Sequence, residues 1–297
     1  MLMIYETITG KTLIDKGWSP DKKYRAVTAS GAVYLLRIAP QERSERMHQQ
    51  FLWMREVEKM HIPMCSSLEY GICPEGPYLI QSWIDGEDVE SQIPGLTEEQ
   101  QYRYGLEAGR ILRKIHSIPA PADIRPWDAY FDRKIDRKLA AYAHCELKYD
   151  HGDELVNYIR SHRHLLANRP QTFQHGDYHC GNMMIDKTGQ LTVIDFDKWD
   201  YGDPWEEFNR IVWCAGISPA FASGRVDGYF AGRVPEEFWQ LLCLYICNNC
   251  IGSLPWAIPY GEREIQVMRR QCADILSWYD HFSGVIPSWY RPGSREV

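Results

Sequence analysis

The chain has 297 residues, 44% of them hydrophobic and 25% charged, which is enough for one large domain or two lobes with a substantial core. Its formal net charge of −7 argues against a general binder of nucleic acid or anionic membrane. The opening MLMIYETITG lacks the basic-then-apolar pattern of a leader, the apolar stretch FWQLLCLYIC reads as far short of a membrane span, and the nine Cys follow no framework spacing, so a cytoplasmic protein with reduced thiols is expected.

In chain order, YRAVTA and AVYLLRIA alternate or run apolar on either side of Ser30-Gly31, which predicts a β-hairpin. QERSERMHQQFLWMREVEKM predicts a helix with Met47, Phe51, Met54 and Val57 on one stripe. PYLIQSWID predicts another strand, ending at Asp85-Gly86. Residues 97–117 predict a helix capped by Thr97, with Pro119 beyond its end. Further helical patterns cover about 128–144, 152–167, 205–216, 235–252 and 262–282, interrupted by one hairpin made of NMMID, the turn KTGQ and LTVID. There is no internal repeat and no low-complexity linker. The expected fold class is α+β: a small strand-rich lobe with one helix over residues 1–84, then a larger, mainly helical lobe over 85–297.

The stretch HGDYHCGN, residues 175–182, places Asp177 five residues before Asn182, and IDFD brings Asp195 thirteen residues later. The predicted hairpin lies between Asn182 and Asp195 and should bring them close in space. Gly176 and Gly181 permit a tight loop. Phosphoryl transfer needs such a set: a carboxylate beside the attacking hydroxyl, and hard oxygen ligands for Mg²⁺ on the phosphates.

The loop His175-Gly176-Asp177 with Asn182, the segment Ile194-Asp195-Phe196-Asp197 and the trailing GDPWEEF resemble the aminoglycoside phosphotransferase and choline kinase-like family, which has a two-lobed protein kinase-like fold. The resemblance spans nearly the whole chain and is strongest over residues 173–208. It implies that Asp177 is the catalytic base and that Asn182 and Asp195 hold Mg²⁺, with Asp197 assisting a second metal or its water. His175 and Asp203 would support the loop, and Glu207 falls at a structural position. The family's phosphate-covering loop falls on GWSPDKKY, placing Ser19 and Lys22 at the nucleotide, although the pattern GxxxxGK[ST] is absent. The family's strand lysine falls on Arg37, which keeps the charge. Its helical partner, usually Glu, falls on Gln50, with Glu45 and Glu56 less well placed. Backbone groups of Ser82, Trp83 and Ile84 would meet the purine of ATP or GTP, which the side chains there do not separate.

Other readings of individual residues are blander. His175, His179 and Cys180 would suit zinc on a helix, but the glycines at 176 and 181 argue against one. Cys243, Cys247 and Cys250 read as a buried apolar face, RKIDRK (133–138) as a solvated helix face, and the C-terminal aromatics as packing. From Asp195 to Glu207 the chain carries six acids, which suggests a negative wall for a cationic acceptor. Asp200, Tyr201 and Glu206 are the recognition candidates, with Glu146, Asp150, Asp153 and Glu154 at the rim. The resulting expectation is a monomeric ATP- or GTP-dependent O-kinase for an aminoglycoside-like antibiotic, with neither nucleic acid nor membrane as partner. Two alternatives stand beside it. One is the same chemistry on a macrolide, choline, ethanolamine or a sugar-like metabolite; with 11 Trp and 18 Tyr the chain has rings enough for a choline cage. The other is a nucleotide-binding pseudokinase, motivated by Arg37 and Gln50.

Overall fold

The computed structural model describes residues 3–17 and 19–293, so Trp18 of the expected phosphate loop lies outside the described residues. In chain order the elements are β1 (Ile8–Ile14), β2 (Lys22–Thr28), β3 (Val33–Ile38), α1 (Ser44–Glu58), β4 (Ser67–Cys73), β5 (Gly76–Ser82), β6 (Gly86–Asp88) and α2 (Val89–Gln92). They continue with α3 (Glu98–Ile115), α4 (Trp127–His144), α5 (Gly152–His162), β7 (Thr172–Gln174), β8 (Met183–Asp186), β9 (Leu191–Val193) and β10 (Asp200–Gly202). The last four are α6 (Ile211–Ile217), α7 (Pro219–Phe230), α8 (Glu236–Ala257) and α9 (Glu262–Trp278). Two compact units result: Met1–Val89 with Gly181–Trp199, and Glu90–Cys180 with Asp200–Val297.

That division differs from the expected boundary at residues 84/85. The first unit runs on to Val89 and takes back the hairpin 181–199. Backbone pairing explains the difference. β8 lies between β6 and β9 in a three-stranded antiparallel sheet. Val193 also exchanges hydrogen bonds with the segment before β4, donating to Pro63 O (3.0 Å) and accepting from Cys65 N–H (3.1 Å). Hydrophobic periodicity reports a strand but not its partner, so the sequence could not assign this hairpin to a unit.

The main sheet of the first unit is antiparallel, in the order β1-β2-β3-β5-β4. β5 is buried along most of its length, and Ala26, Leu36, Ile38, Tyr78 and Ile80 form a core cluster. Helix α1 buries Met47, Gln50, Met54 and Val57. β4 was not anticipated: it is an edge strand that buries Ser67 and Cys73 and turns Leu68 and Ile72 outward, so its hydrophobic pattern does not mark its inward face.

The second unit is helical apart from the pair β7–β10. Thr97 and Gln100 form a reciprocal capping box at the start of α3. α7, also unanticipated, packs its Gly224 and Gly228 against Gly105 and Gly109 of α3, and a Cβ on any of them would strike the facing backbone. Glycine and serine in SPAFASGRVDGYF lower its helical signal, yet the missing side chains are what let the two backbones approach. The expected helices 152–167 and 205–216 are part 3-10: α5 yields to 163–166, and 206–210 precede α6. α8 is longer than expected, and by length and composition it could cross a membrane. Two-thirds of its apolar window is buried inside the protein, where α4, α5 and α9 pack against it. Its Cys243, Cys247 and Cys250 are buried in that core.

Candidate active site

In the first unit the hairpin delivers its polar residues by backbone geometry. Ile194 N–H donates to Asn182 O (3.0 Å), which holds the two strand ends together. Asp195 follows in the left-handed region at φ 65°, a conformation uncommon outside glycine, with Asp among the residues that tolerate it. Its carboxylate accepts from Arg37 Nη1 (2.6 Å) and Lys23 Nζ (3.1 Å). Lys23 and Arg37 lie directly opposite each other on β2 and β3, so both cations leave the same face of the sheet. Such neighbours repel, and acids offset the repulsion. Arg37 Nη2 also meets Asp21 Oδ2 (3.0 Å), and Arg43 links Asp21 to Asp197, reaching the latter at 2.6 Å. Three carboxylates and three cations therefore form one network. Burial alone would push the Asp195 carboxyl up, but the charges of Arg37 and Lys23 hold it below the usual carboxylate range. Burial likewise disfavours charge on Arg37, and Asp195, Asp197 and Asp21 outweigh it.

The expected partner of Arg37 requires correction. Gln50 is buried, and its amide nitrogen donates to nothing among the described residues. The acids that pair Arg37 come from before β2 and after β9 instead. Register also shifts the lysine: Lys22 is exposed, and its neighbour Lys23 turns inward, since adjacent strand residues face opposite sides. Ser19 Oγ accepts from Asp21 N–H and Arg43 (both 3.3 Å) and so shapes the turn. Ser82 N–H is taken by Ser66 O (2.9 Å), which removes it as a donor to a purine. Trp83 lies under the Arg25 guanidinium, 5.8 Å from its ring centre, and Ile84 is half-buried.

In the second unit the Asp177 loop rests on Glu207. This buried carboxylate accepts from His175 N–H (3.0 Å), from Gly176 N–H and from His116 Nε2 (2.9 Å). Burial would raise its pKa, and these partners lower it. Gly176 makes the turn at φ 86°. Asp177 N–H then donates to Nδ1 of the buried His175 (3.3 Å), so the loop backbone is fixed on both sides of the turn. The Asp177 carboxylate faces Arg210 Nε (3.2 Å) and His179 Nε2 (3.7 Å). Burial pushes its pKa up, but the His179 contact and the charge of Arg210 hold it at about 2. Asp203 is fully buried, bound by Arg169 Nε (2.7 Å), Tyr245 Oη (2.6 Å) and Trp205 N–H (2.9 Å).

Around Asp177 the acids expected to recognise an acceptor are engaged or dispersed. Glu206 meets Lys134 at 3.0 Å. Asp200 is exposed on β10, and Tyr201 packs edge-on against Phe173. At the rim, Glu154 is paired with His151 and His281. The basic run 133–138 is only half a solvated face: Arg133 and Arg137 are exposed, while Lys134 and Lys138 turn inward, Lys138 donating to Asn248 O (3.2 Å).

The sequence over residues 12–239 matches the model of the phosphotransferase enzyme family. This chain belongs to that family. The phosphotransferase is similar in fold to an aminoglycoside phosphotransferase APH(4)-Ia solved with AMP-PNP and hygromycin B (TM-score 0.69, 15% identity, 93% of this chain and 95% of that one). It is also similar to a choline/ethanolamine kinase family protein from Mesorhizobium loti (TM-score 0.66, 18% identity, 93% and 92%). A third neighbour is the GDP complex of aminoglycoside 2'-phosphotransferase-IIIa (TM-score 0.68, 11% identity, 90% and 92%). No curated protein matches the sequence. The enzyme is thus a kinase-type phosphotransferase on a protein kinase-like α+β fold. Asp21, Lys23, Arg43, Arg210 and His116 were not singled out from the sequence. Their partners lie from 16 residues away, for Asp21 and Arg37, to 172 residues away, for Lys23 and Asp195, and no local spacing encodes such contacts.

Proposed function

We propose that this phosphotransferase moves the γ-phosphoryl group of ATP or GTP to a hydroxyl of a small molecule, with Asp177 receiving the hydroxyl proton. The observation that carries the reading is the Asp177 loop. It holds an ionised carboxylate on a backbone fixed by Glu207 and His175. A group with a pKa of about 2 is a weak base, which suits a loose transition state in which the acceptor proton leaves late and the carboxylate mainly orients the hydroxyl. The AMP-PNP and GDP in the neighbours' complexes support a nucleotide donor.

The donor set around Asp195 fits Mg²⁺: an amide oxygen from Asn182 and carboxylates from Asp195 and Asp197, all hard ligands. Mg²⁺ held by Asn182, Asp195 and Asp197 would supply positive charge to offset that of the transferring phosphoryl group. Arg37 and Lys23 cover Asp195, and a triphosphate offers both cations another partner. Metal and nucleotide are therefore expected to bind together. The test is release of nucleoside diphosphate with Mg²⁺ over a panel of alcohols. Asp177→Asn should lower turnover by about 10²- to 10⁴-fold, the usual range for a positioned acid–base group. A variant as active as the parent would remove Asp177 from the reaction.

For the acceptor, the six acids of residues 195–207 and the neighbour's hygromycin B support an amino sugar. A different small alcohol is favoured by a specific observation: Glu206 and Glu154 are already paired, and a cation, Arg210, sits on Asp177. A cytoplasmic monomer remains part of the proposal. The location is motivated by nine free cysteines and tested by thiol accessibility in cells, and light scattering tests the monomer.

A further inference from the structure

We propose that the acceptor alcohol carries an anionic group, carboxylate or phosphate, and that Lys138 and Arg210 hold it beside Asp177. This rests on Asp177 being the base. The geometry runs outward from the Asp177 carboxylate through second-unit residues alone. Arg210 lies 3.2 Å from it, and Glu206 stands four residues before Arg210. Lys134 neutralises Glu206 at 3.0 Å, and Lys138 follows Lys134 by one helical turn on the same face of α4. Glu207 lies under the Asp177 loop as well, so three acids, Asp177, Glu206 and Glu207, stand against three cations, Arg210, Lys134 and Lys138, in a protein that is negative overall.

Lys138 has no carboxylate within ion-pair distance among the described residues; its ammonium donates to the backbone of Asn248 at 3.2 Å. Its stem lies over Gly252 of α8, where an added Cβ would come within 2.8 Å of Lys138 Cδ and Cε. Glycine is a poor helix former, and at position 252 its missing side chain is what leaves room for the lysine stem. Burial, with the charges of Lys134 and Arg210, pulls its pKa down to about 7, and a ligand anion would supply the missing counter-charge. Glu206 paired with Lys134 leaves little to attract a polycationic acceptor. In the reaction the acceptor oxygen bonds to the γ-phosphorus as the bond to the β–γ bridging oxygen breaks. The acceptor proton goes to Asp177, and the nucleoside diphosphate leaves.

The experiment uses the full chain with Mg²⁺ and ATP or GTP on acceptor pairs that differ in charge: glycerate against glycerol, and glucose 6-phosphate against glucose and glucosamine. The anionic member should give about tenfold or more faster diphosphate release. Lys138→Met and Arg210→Gln should each raise its KM about tenfold, and Lys138→Arg should recover most of the loss. Preference for the neutral or amino member, or a KM indifferent to Lys138→Met, overturns the proposal while leaving the kinase reading intact. Release that persists in Asp177→Asn, or none with any acceptor, counts against the kinase reading or the panel. Binding then decides separately. Glycerate or glucose 6-phosphate should raise the Tm of the parent more than that of Lys138→Met, and equal shifts overturn the proposal.

Discussion

His179 and Arg210 together set the working state of Asp177. With a pKa of about 2 against an ordinary 3.8, Asp177 binds fewer protons in the folded protein than in the unfolded chain. The associated stability is therefore present in full above about pH 4 and is lost as pH falls towards 2. Arg210→Gln removes the larger charge. The stability difference between parent and variant should be on the order of 1 kcal/mol at pH 7 after solvent screening, and should shrink between pH 4 and pH 2. Chemical denaturation across that range checks it, and a difference that stays constant down to pH 2 would mean that another group holds the carboxylate. At this scale the sequence was informative where chemistry is local. Asp177, Asn182 and Asp195 stand out by spacing, because one loop and one hairpin position them. The cations did not stand out, since Arg210 and Lys23 acquire meaning only when the chain folds back. Lys22 and Lys23 show the limit most sharply: both are basic and adjacent, and strand register alone decides which one faces Asp195.

Helix α7 illustrates the same division among elements. Its glycines weaken the helical pattern in sequence and create the close contact with α3 in space. Gly109→Val would drive a side chain into the Arg225 backbone and should destabilise the protein by about 1–3 kcal/mol, the usual effect of overpacking. Urea denaturation measures it, and a loss below about 0.5 kcal/mol would show that the helices separate easily. Elements with a clear inward stripe, such as α1 and α3, were readable, and the Thr97 cap marked the α3 start to the residue. β4 was not readable, because this edge strand buries Ser67 and Cys73 and exposes Leu68 and Ile72, so its inside–outside alternation runs against hydrophobicity.

For the whole molecule, the first unit is discontinuous in sequence: 181–199 completes what 1–89 begins. A fragment of residues 1–89 lacks the strand beside β6 and the Val193 partners of Pro63 and Cys65. It is expected to lose cooperative unfolding by circular dichroism, whereas a folded, cooperative fragment would mean that the hairpin is an accessory.

That discontinuity also bears on how the protein is made. On a ribosome adding about 5–20 residues per second, the N-terminal strands emerge and then wait roughly 5–20 seconds while residues 90–199 are synthesised. During that interval the nascent chain presents β6 without its partner strand, so the yield of active enzyme should depend on the rate of translation through residues 90–199 and on whatever shields that unpaired strand meanwhile.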